Sequence, residues 1–382
     1  VVAIGIIMPM VPAMGFPIDI SNRLRLEYDD NVRSEEEDAD SSLKVIESVT
    51  LTYSLRMDNT TLSIGYAPSF VWWDDRDEDD SDFHSTANLS LSHRFSPRVS
   101  FRLADRYRGA ELPELLDRGA QVRENEDYDY NSLNGSLSMQ VFGDTHLDLD
   151  GRWVFHKYRE EDVAENNDYD LYVGGVAVRQ QLNADTSVSG KFRYEDMAYE
   201  EDLRDAESYF YGLGFNRTFS PRLLAGANGG YQIKEFTAAG RDNEESPWGD
   251  LSITYLPTPN MRMTVGGGYS LYETSLFPYV NQERIRFFGS VAQDLSARLA
   301  LYVSGAYIQG TYDETDVPQE AVDAGYEPSD GEEDTVQVSG RVTYKVDQRN
   351  WLEAGWQYTE LTSDLREDYE RNRYHIGWRI KI

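Results

Sequence analysis

The sequence predicts an all-β fold, a transmembrane antiparallel up-and-down β-barrel of about eighteen strands, in a range of about sixteen to eighteen. Three observations predict it. From residue 22 onward the chain runs in segments whose hydrophobicity alternates with period two, as strands with one apolar and one polar face do. The separators alternate between very short and long, the pattern of short periplasmic turns and long extracellular loops in outer-membrane barrels. Large aromatics gather at segment ends, at Tyr28, Tyr66, Phe70, Trp72, Phe95, Tyr107, Trp153, Phe155, Tyr307, Trp356 and Tyr358, where interfacial girdles form. A soluble sandwich or propeller also alternates, but it concentrates such rings centrally.

The first residues, VVAIGIIMPMVPAMG (1–15), are a short apolar stretch closing on the small residues Ala13 and Gly15. They read as the remainder of a signal peptide; the competing account is a buried N-terminal strand or plug segment. Residues 16–382 then read as a single barrel domain. In the first well-patterned segment Val49, Leu51, Tyr53, Leu55 and Met57 face one way, and Ser48, Thr50, Thr52, Ser54 and Arg56 the other. After the turn Asp58-Asn59-Thr60, Leu62, Ile64 and Tyr66 alternate with Ser63, Gly65 and Ala67, which makes a hairpin. Short turns recur at SPR (96–98), FGDT (142–145), NADT (183–186), SPR (220–222), PTPN (257–260), SAR (296–298) and DQRN (347–350). Between the hairpins lie hydrophilic loops, among them NVRSEEEDADSS (31–42), DDRDEDDSD (74–82), EEDVAENND (160–168) and the stretch 313–334. About eight short turns and nine long loops give the strand number, from Asn22 to Ile382, and its evenness puts both ends of the barrel on the periplasmic side. The Gly-rich stretches around Gly174, Gly229 and Gly267 are weakly patterned; glycine there is expected to relieve crowding where the wall bends.

Composition excludes several classes. With 36 Lys plus Arg against 68 Asp plus Glu, the formal charge of −32 is wrong for a nucleic-acid binder. Disordered acidic chains are poor in aromatics, whereas this one has 26 Tyr, 15 Phe and 7 Trp. No apolar run reaches the ~20 residues of a spanning helix, a limit that does not apply to strands. Cysteine is absent, which removes disulfides, thiolate sites and a lipidated cysteine.

The chain ends Tyr374-His375-Ile376-Gly377-Trp378-Arg379-Ile380-Lys381-Ile382, with Tyr374, Ile376, Trp378, Ile380 and Ile382 on one face. The run Tyr374, His375, Gly377, Trp378, Ile380, Ile382 resembles the C-terminal signal by which the outer-membrane assembly machinery recognises its clients, though it ends in Ile rather than Phe. Together with the opening NRLRLEYDDNV and the repeated SPR turns, this layout resembles the outer-membrane β-barrel porins encoded beside exopolysaccharide synthesis and export genes. The resemblance is architectural and covers nearly the whole chain. It implies transport or export across the outer membrane, and no functional residue is carried over from it.

If apolar residues face lipid, the alternate positions line a lumen rich in Arg23, Arg25, Arg102, Arg106, Arg152, Arg193, Arg284, Arg286, Arg341, Arg373 and Arg379, with Arg56, Arg94, Arg179, Lys191, Lys234 and Arg262 beside them. Inward acids are fewer: Glu27, Asp148, Asp150, Glu195, Asp250 and Glu353. A basic lumen under acidic loops attracts carboxylates, sulfates or phosphates, which guanidinium forks bind well. The competing account is that lumen charges pair among themselves and only stabilise a polar interior. Tyr302, Phe210 and Tyr272 also fall inward, where they either stack on sugar rings or simply pack the lumen. The loops SEEEDAD (34–40) and DDRDEDDSD (74–82) are dense in carboxylates, which attract divalent cations or bridge to lipopolysaccharide, but none has EF-hand spacing and no metal site is assigned. The five histidines are scattered, His93 outward and His84, His146, His156 and His375 inward, with no nucleophile or base set around them, so no enzyme and no cofactor are expected.

The functional expectation is an outer-membrane channel assisting exopolysaccharide export, with lipid, lipopolysaccharide, the assembly machinery and periplasmic export components as partners. A diffusion porin for small anions or sugars is the first alternative. A structural or adhesive barrel with cation-binding acidic loops is the second.

Overall fold

The computed structural model describes residues 18–382 apart from 37–38, 75–79, 111–113, 116–120, 123–125, 201–203, 238–242, 273, 275 and 324. The 1–15 segment lies outside the described residues, as do parts of both carboxylate-dense loops. The strands are β1 (Ile18–Asp29), β2 (Ser42–Arg56), β3 (Thr60–Trp73), β4 (Ser81–Ser96), β5 (Val99–Ala110), the two-residue β6 (Glu114–Leu115) and β7 (Gln121–Val122), β8 (Tyr128–Phe142), β9 (Thr145–Tyr158), β10 (Tyr169–Asn183), β11 (Thr186–Tyr199), β12 (Ala206–Ser220), β13 (Leu223–Phe236), β14 (Glu244–Thr258), β15 (Met261–Tyr272), β16 (Gln282–Asp294), β17 (Leu299–Tyr312), β18 (Gly331–Lys345), β19 (Asn350–Ser363) and β20 (Tyr369–Lys381). All but β6 and β7 belong to one 18-stranded antiparallel sheet. It closes on itself where β1 pairs with β20, from Ser21↔Lys381 to Asp29↔Arg373. Closure leaves no unpaired edge, the condition for a sheet to stand in hydrocarbon.

The short turns form for identifiable reasons. In both SPR turns the serine hydroxyl accepts the backbone N–H of the arginine two residues on, Arg98 and Arg222, each at 3.2 Å, and Ser296 does the same for Arg298 at 3.2 Å. Asp347 Oδ1 accepts the N–H groups of Arg349 at 2.7 Å and Asn350 at 2.9 Å. Gly143, at φ +50°, supplies the left-handed residue of its turn. Register shifts sit beside five of these turns, at Arg94/Ser96, Gln140/Phe142, Gln181/Asn183, Thr218/Ser220 and Tyr255/Thr258, so the bulges mark the short-turn rim.

The outer face carries the apolar alternation. Leu24, Leu26 and Tyr28 point out of β1 while Arg25, Glu27 and Asp29 point in, and Phe70 on β3 is 64 % exposed. Near the long-loop rim the outer aromatics bond to carboxylates above them: Tyr107 Oη to Asp129 at 2.5 Å, Tyr209 Oη to Glu207 at 2.6 Å, Tyr307 Oη to Asp334 at 2.8 Å and Trp153 Nε1 to Asp170 at 2.9 Å. Each ring is thus apolar below and wet above, as at an interface.

Among the described residues the buried apolar side chains form three separate clusters, not one central core. Apolar packing sits inside the long-loop end of the lumen, where Ala110, Tyr128, Tyr130, Val154 and Tyr158 form one cluster and Val32, Val71 and Trp73 another. Helix α1 (Glu161–Asn167), with Glu161 and Asp162 in its first turn, leans Val163 and Ala164 on the first cluster. A third cluster joins Tyr279, Tyr312, Val317 and Ala321, the last from α2 (Gln319–Asp323). Period-two alternation alone predicts no apolar filling at these inward positions.

Candidate functional site

Because cross-strand partners share a face, register carries the inward side of β1 around the wall. Arg23 and Arg25 stand opposite Arg379 and Gly377 of β20. Arg102 stands between Ser92 and Ser136, and Arg106 between Asn88 and Ser132. Arg152 faces Asn134 and Val173, Arg193 faces Gly175 and Phe210, and Arg284 and Arg286 face Ser270 and Gly268. Arg341 lies opposite Tyr302, and Arg373 opposite Gln357 and Asp29. In the terminal strand His375 and Gly377 are inward, while Tyr374, Trp378 and Ile380 are outward; the N–H of Ile382 bonds Ile20 O at 2.9 Å.

These cations stand in two different environments. Around the β20–β1–β2 seam they are neutralised. Arg23 is bonded to Glu353, and Arg25 Nη2 is 3.4 Å from Glu27 Oε2. Above them Asp29, fully buried, takes a two-pronged contact from Arg371, at 3.0 Å from Nε and 2.7 Å from Nη2, and a third bond from Lys44 Nζ at 2.6 Å. Lys44 is itself buried, 4.4 Å over the Trp73 ring and 3.8 Å from Glu27 Oε1.

Across the barrel, β9 to β16 enclose a cavity of about 750 Å³. Its cations are Arg152, Arg179, Lys191, Arg193, Arg284 and Arg286, and its acids Asp148, Asp150, Glu195 and Asp250. Arg179 Nε is bonded to Asp148 at 2.9 Å, and Arg193 Nε lies 3.0 Å from Glu195 Oε1. Among the described residues Arg152, by contrast, reaches the neutral Ser132 Oγ (3.2 Å) and Tyr130 Oη (3.4 Å). Lys191 donates to Asn228 Oδ1, and aromatic rings stack on Arg193, Arg284 and Arg286. The guanidinium carbon of Arg193 is 3.8 Å from the Phe210 centroid and 5.9 Å from that of Trp248; Arg284 is 4.2 Å over Tyr272 and Arg286 5.0 Å over Phe288. The Nε of Arg286 is buried without a hydrogen-bond partner.

Glycines make room for these rings. Trp248, Gly230 and Gly212 form one inward row across β14, β13 and β12. A Cβ on Gly212 would come within 2.5 Å of Trp248 Cζ2, so the indole lies across two bare positions, with Nε1 donating to Tyr211 O at 3.2 Å. Phe288 lies likewise over Gly266, where a Cβ would meet Cζ at 2.5 Å. Gly175 seats the Asp150 carboxylate. The Gly-rich stretches therefore clear space for large side chains of neighbouring strands, in addition to any bend of the wall.

Loops fold inward over this half of the long-loop mouth. Thr274 O accepts Tyr199 Oη at 3.2 Å and Arg204 Nη1 at 3.5 Å, and Arg204 Nη2 donates to Asn166 O. Arg204 is sandwiched 4.0 Å from the Tyr199 ring and 5.7 Å from Phe277; burial lowers its pKa, with the Tyr199 hydroxyl opposing. Lys234, also buried, donates to Asn281 Oδ1 at 3.1 Å and Val280 O at 3.4 Å. Tyr272, whose strand runs up into this cap, lines the cavity below.

A family described as "Putative beta-barrel porin 2" matches residues 15–382. The chain belongs to this family. This porin shares its fold with the outer membrane protein OpdK of Pseudomonas aeruginosa, at 10 % identity over 96 % of this chain and 99 % of that one, TM-score 0.52. OccK9 (OpdG) of the same organism matches at 12 % identity over 96 % and 100 %, TM-score 0.51. No curated protein matches. The porin is therefore an outer-membrane channel-type barrel of a Gram-negative-type cell, and not an enzyme.

Sequence reading missed several inward residues of this porin. Lys44, Arg108 and Arg371 join the basic set, and Asp29, Asp82, Glu244 and Glu333 the acidic one. Strict parity carried to the strand ends would have found them. Trp248 was missed because a tryptophan in a barrel strand reads as a girdle residue, and its glycine seat lies on two other strands. Among the described residues no group of three or more metal-binding side chains converges.

Proposed function

We propose that this outer-membrane porin conducts small anionic solutes and selects them in the β9–β16 half of its lumen. What carries the reading is the cavity of about 750 Å³ walled by Arg152, Arg193, Arg284 and Arg286, with aromatic rings stacked against three of the guanidiniums. That volume lies in the range of small-molecule sites, roughly 300–1,000 Å³. Its lining combines fixed donors with apolar faces. OpdK has been solved with vanillate and OccK2 (OpdF) in complex with glucuronate, both small carboxylates. The short turns then face the periplasm and the long acidic loops the outside.

The finer reading from sequence, assisted export of an acidic exopolysaccharide, draws on the cations that continue down the lumen through Arg102, Arg106 and Arg23 to Arg379. In that reading polysaccharide and periplasmic components are partners, and Tyr374 to Ile382 serve the assembly machinery. The adhesive reading keeps only the loops, and no contact among the described residues favours it.

In planar bilayers under a salt gradient, the reversal potential is expected to have the sign of anion selectivity. Replacing Arg102, Arg106, Arg284 and Arg286 together by Glu is expected to invert it. A channel selective for cations before mutation rules the reading out. Deleting the gene separates the export reading: unchanged secreted polysaccharide, with slower uptake of small organic acids, leaves the diffusion channel.

A further inference from the structure

The cavity wall contains a more specific arrangement than a basic surface. Trp248 reaches across Gly230 to Gly212, so the indole lies against bare backbone while lining the cavity, with the Phe210 ring meeting it nearly perpendicular at 6.0 Å and Arg193 at 5.9 Å. Only β15 stands between β14 and β16, and at this level it presents Gly268 opposite Arg286 and Ser270 opposite Arg284. The floor between the indole and the arginines is therefore nearly free of side chains, and about 10 Å wide at about 4.8 Å per strand. At the far edge Arg286 stacks 5.0 Å from Phe288, with its buried Nε unbonded. On the near side Asp250 Oδ1 and Oδ2 take bonds from Asn228 Nδ2 at 2.9 and 2.7 Å, a polar pair that can also accept hydroxyls.

We propose that this floor is a subsite for an acidic sugar unit, a pyranose that stacks its C–H face on Trp248 and presents its carboxylate to Arg286. The inference rests on the anion-channel reading and narrows its substrate class. A flat apolar platform adds nothing for chloride or acetate, whereas a pyranose has a face to cover it. The Arg286 guanidinium lines the cavity with no carboxylate paired to it among the described residues, which adds little for neutral glucose, whereas a uronate supplies the anionic acceptor. Asp250 and Asn228 fall beside the ring hydroxyls. The site thus recognises the combination of ring and charge.

The test is block of single-channel current by glucuronate, glucose and acetate, each titrated on the purified barrel in planar bilayers. Glucuronate is expected to half-block at a concentration about tenfold below the other two. Trp248→Ala is expected to raise that concentration about tenfold and leave acetate unchanged, with Trp248→Phe recovering most of the loss. Arg286→Gln is expected to bring glucuronate to the level of glucose. Gly212→Ala, which pushes the indole off its seat, is expected to behave as Trp248→Ala. Retained gel mobility of the unheated barrel shows that each variant is folded. The subsite is refuted if an anion-selective wild-type channel is blocked equally by glucuronate and glucose, or if Trp248→Ala leaves glucuronate block unchanged. A wild-type channel without anion selectivity instead overturns the reading beneath it, so the two failures are told apart by the reversal potential.

Discussion

Removing Asp29 takes the shared carboxylate from two buried cations, because it is bonded to both Lys44 and Arg371, and leaves Lys44 only the longer contact to Glu27. Breaking such a group by deleting one member costs about 3–5 kcal/mol, since the remaining charge stays out of water. Asp29→Asn is expected to lower the temperature at which the folded band disappears on gels, while Arg102→Gln, set among small polar neighbours, changes it little. At the long-loop end, Asp168 is buried and accepts the N–H of Tyr158 at 2.7 Å. Burial raises its pKa, with the Tyr158 bond and Lys157 opposing. The folded form binds the proton more tightly than the unfolded one, so this group's contribution to stability falls as pH rises from the ordinary carboxyl range through the raised value. Hydrogen exchange corrected for intrinsic rate should show the 159–168 loop better protected at pH 4 than at pH 7, and Asp168→Asn should remove that difference. What could be read at this scale depended on distance along the chain. The side on which Arg102 or Arg286 stands follows from parity with its neighbours, but the seat of Trp248 is made by Gly212, brought near only by folding.

Turns and loops differ in how much the chain says about them. The SPR, NADT and DQRN turns are legible because serine, asparagine or aspartate closes each one locally: Asn183 Oδ1, for example, accepts the N–H of Asp185 at 3.0 Å. Ser96→Ala and Ser220→Ala should each cost about 0.5–1.5 kcal/mol, seen as a lower denaturant midpoint without altered conductance. The inward cap over the β9–β16 cavity was not legible, because Asn166, Arg204, Thr274 and Phe277 come from three loops far apart in sequence. Arg204→Ala removes the side chain that joins those loops. It should raise open-channel conductance and noise in bilayers while the reversal potential stays put; unchanged conductance would show that the cap does not restrict flow.

For the molecule as a whole, charge of the two signs is separated. The net charge of −32 coexists with a lumen whose cavity holds more basic than acidic side chains. Many of the acids instead face outward at the long-loop rim, as Asp129, Asp170, Glu207 and Asp334 do. Selectivity set by such a field should weaken with salt, because the screening length falls from about 10 Å at 0.1 M to about 3 Å at 1 M. The anion-to-cation permeability ratio is accordingly expected to drop as KCl is raised across that range, and a ratio independent of salt would point to size alone. Strand number, closure and the outer apolar face follow from the alternation because each strand repeats the same local rule. The exceptions are outward polar groups such as Asp105 and the Asn22–Glu47 pair, bonded at 2.7 Å, which period two alone does not explain. The seam between β1 and β20 has one more consequence. Every other strand pair in the sheet is joined by the chain itself, so only this joint must be found by two ends more than three hundred residues apart. Asp29 on β1 and Arg371 on β20 are bonded across it. The barrel thus carries an ion-pair clasp at the one place where connectivity provides none.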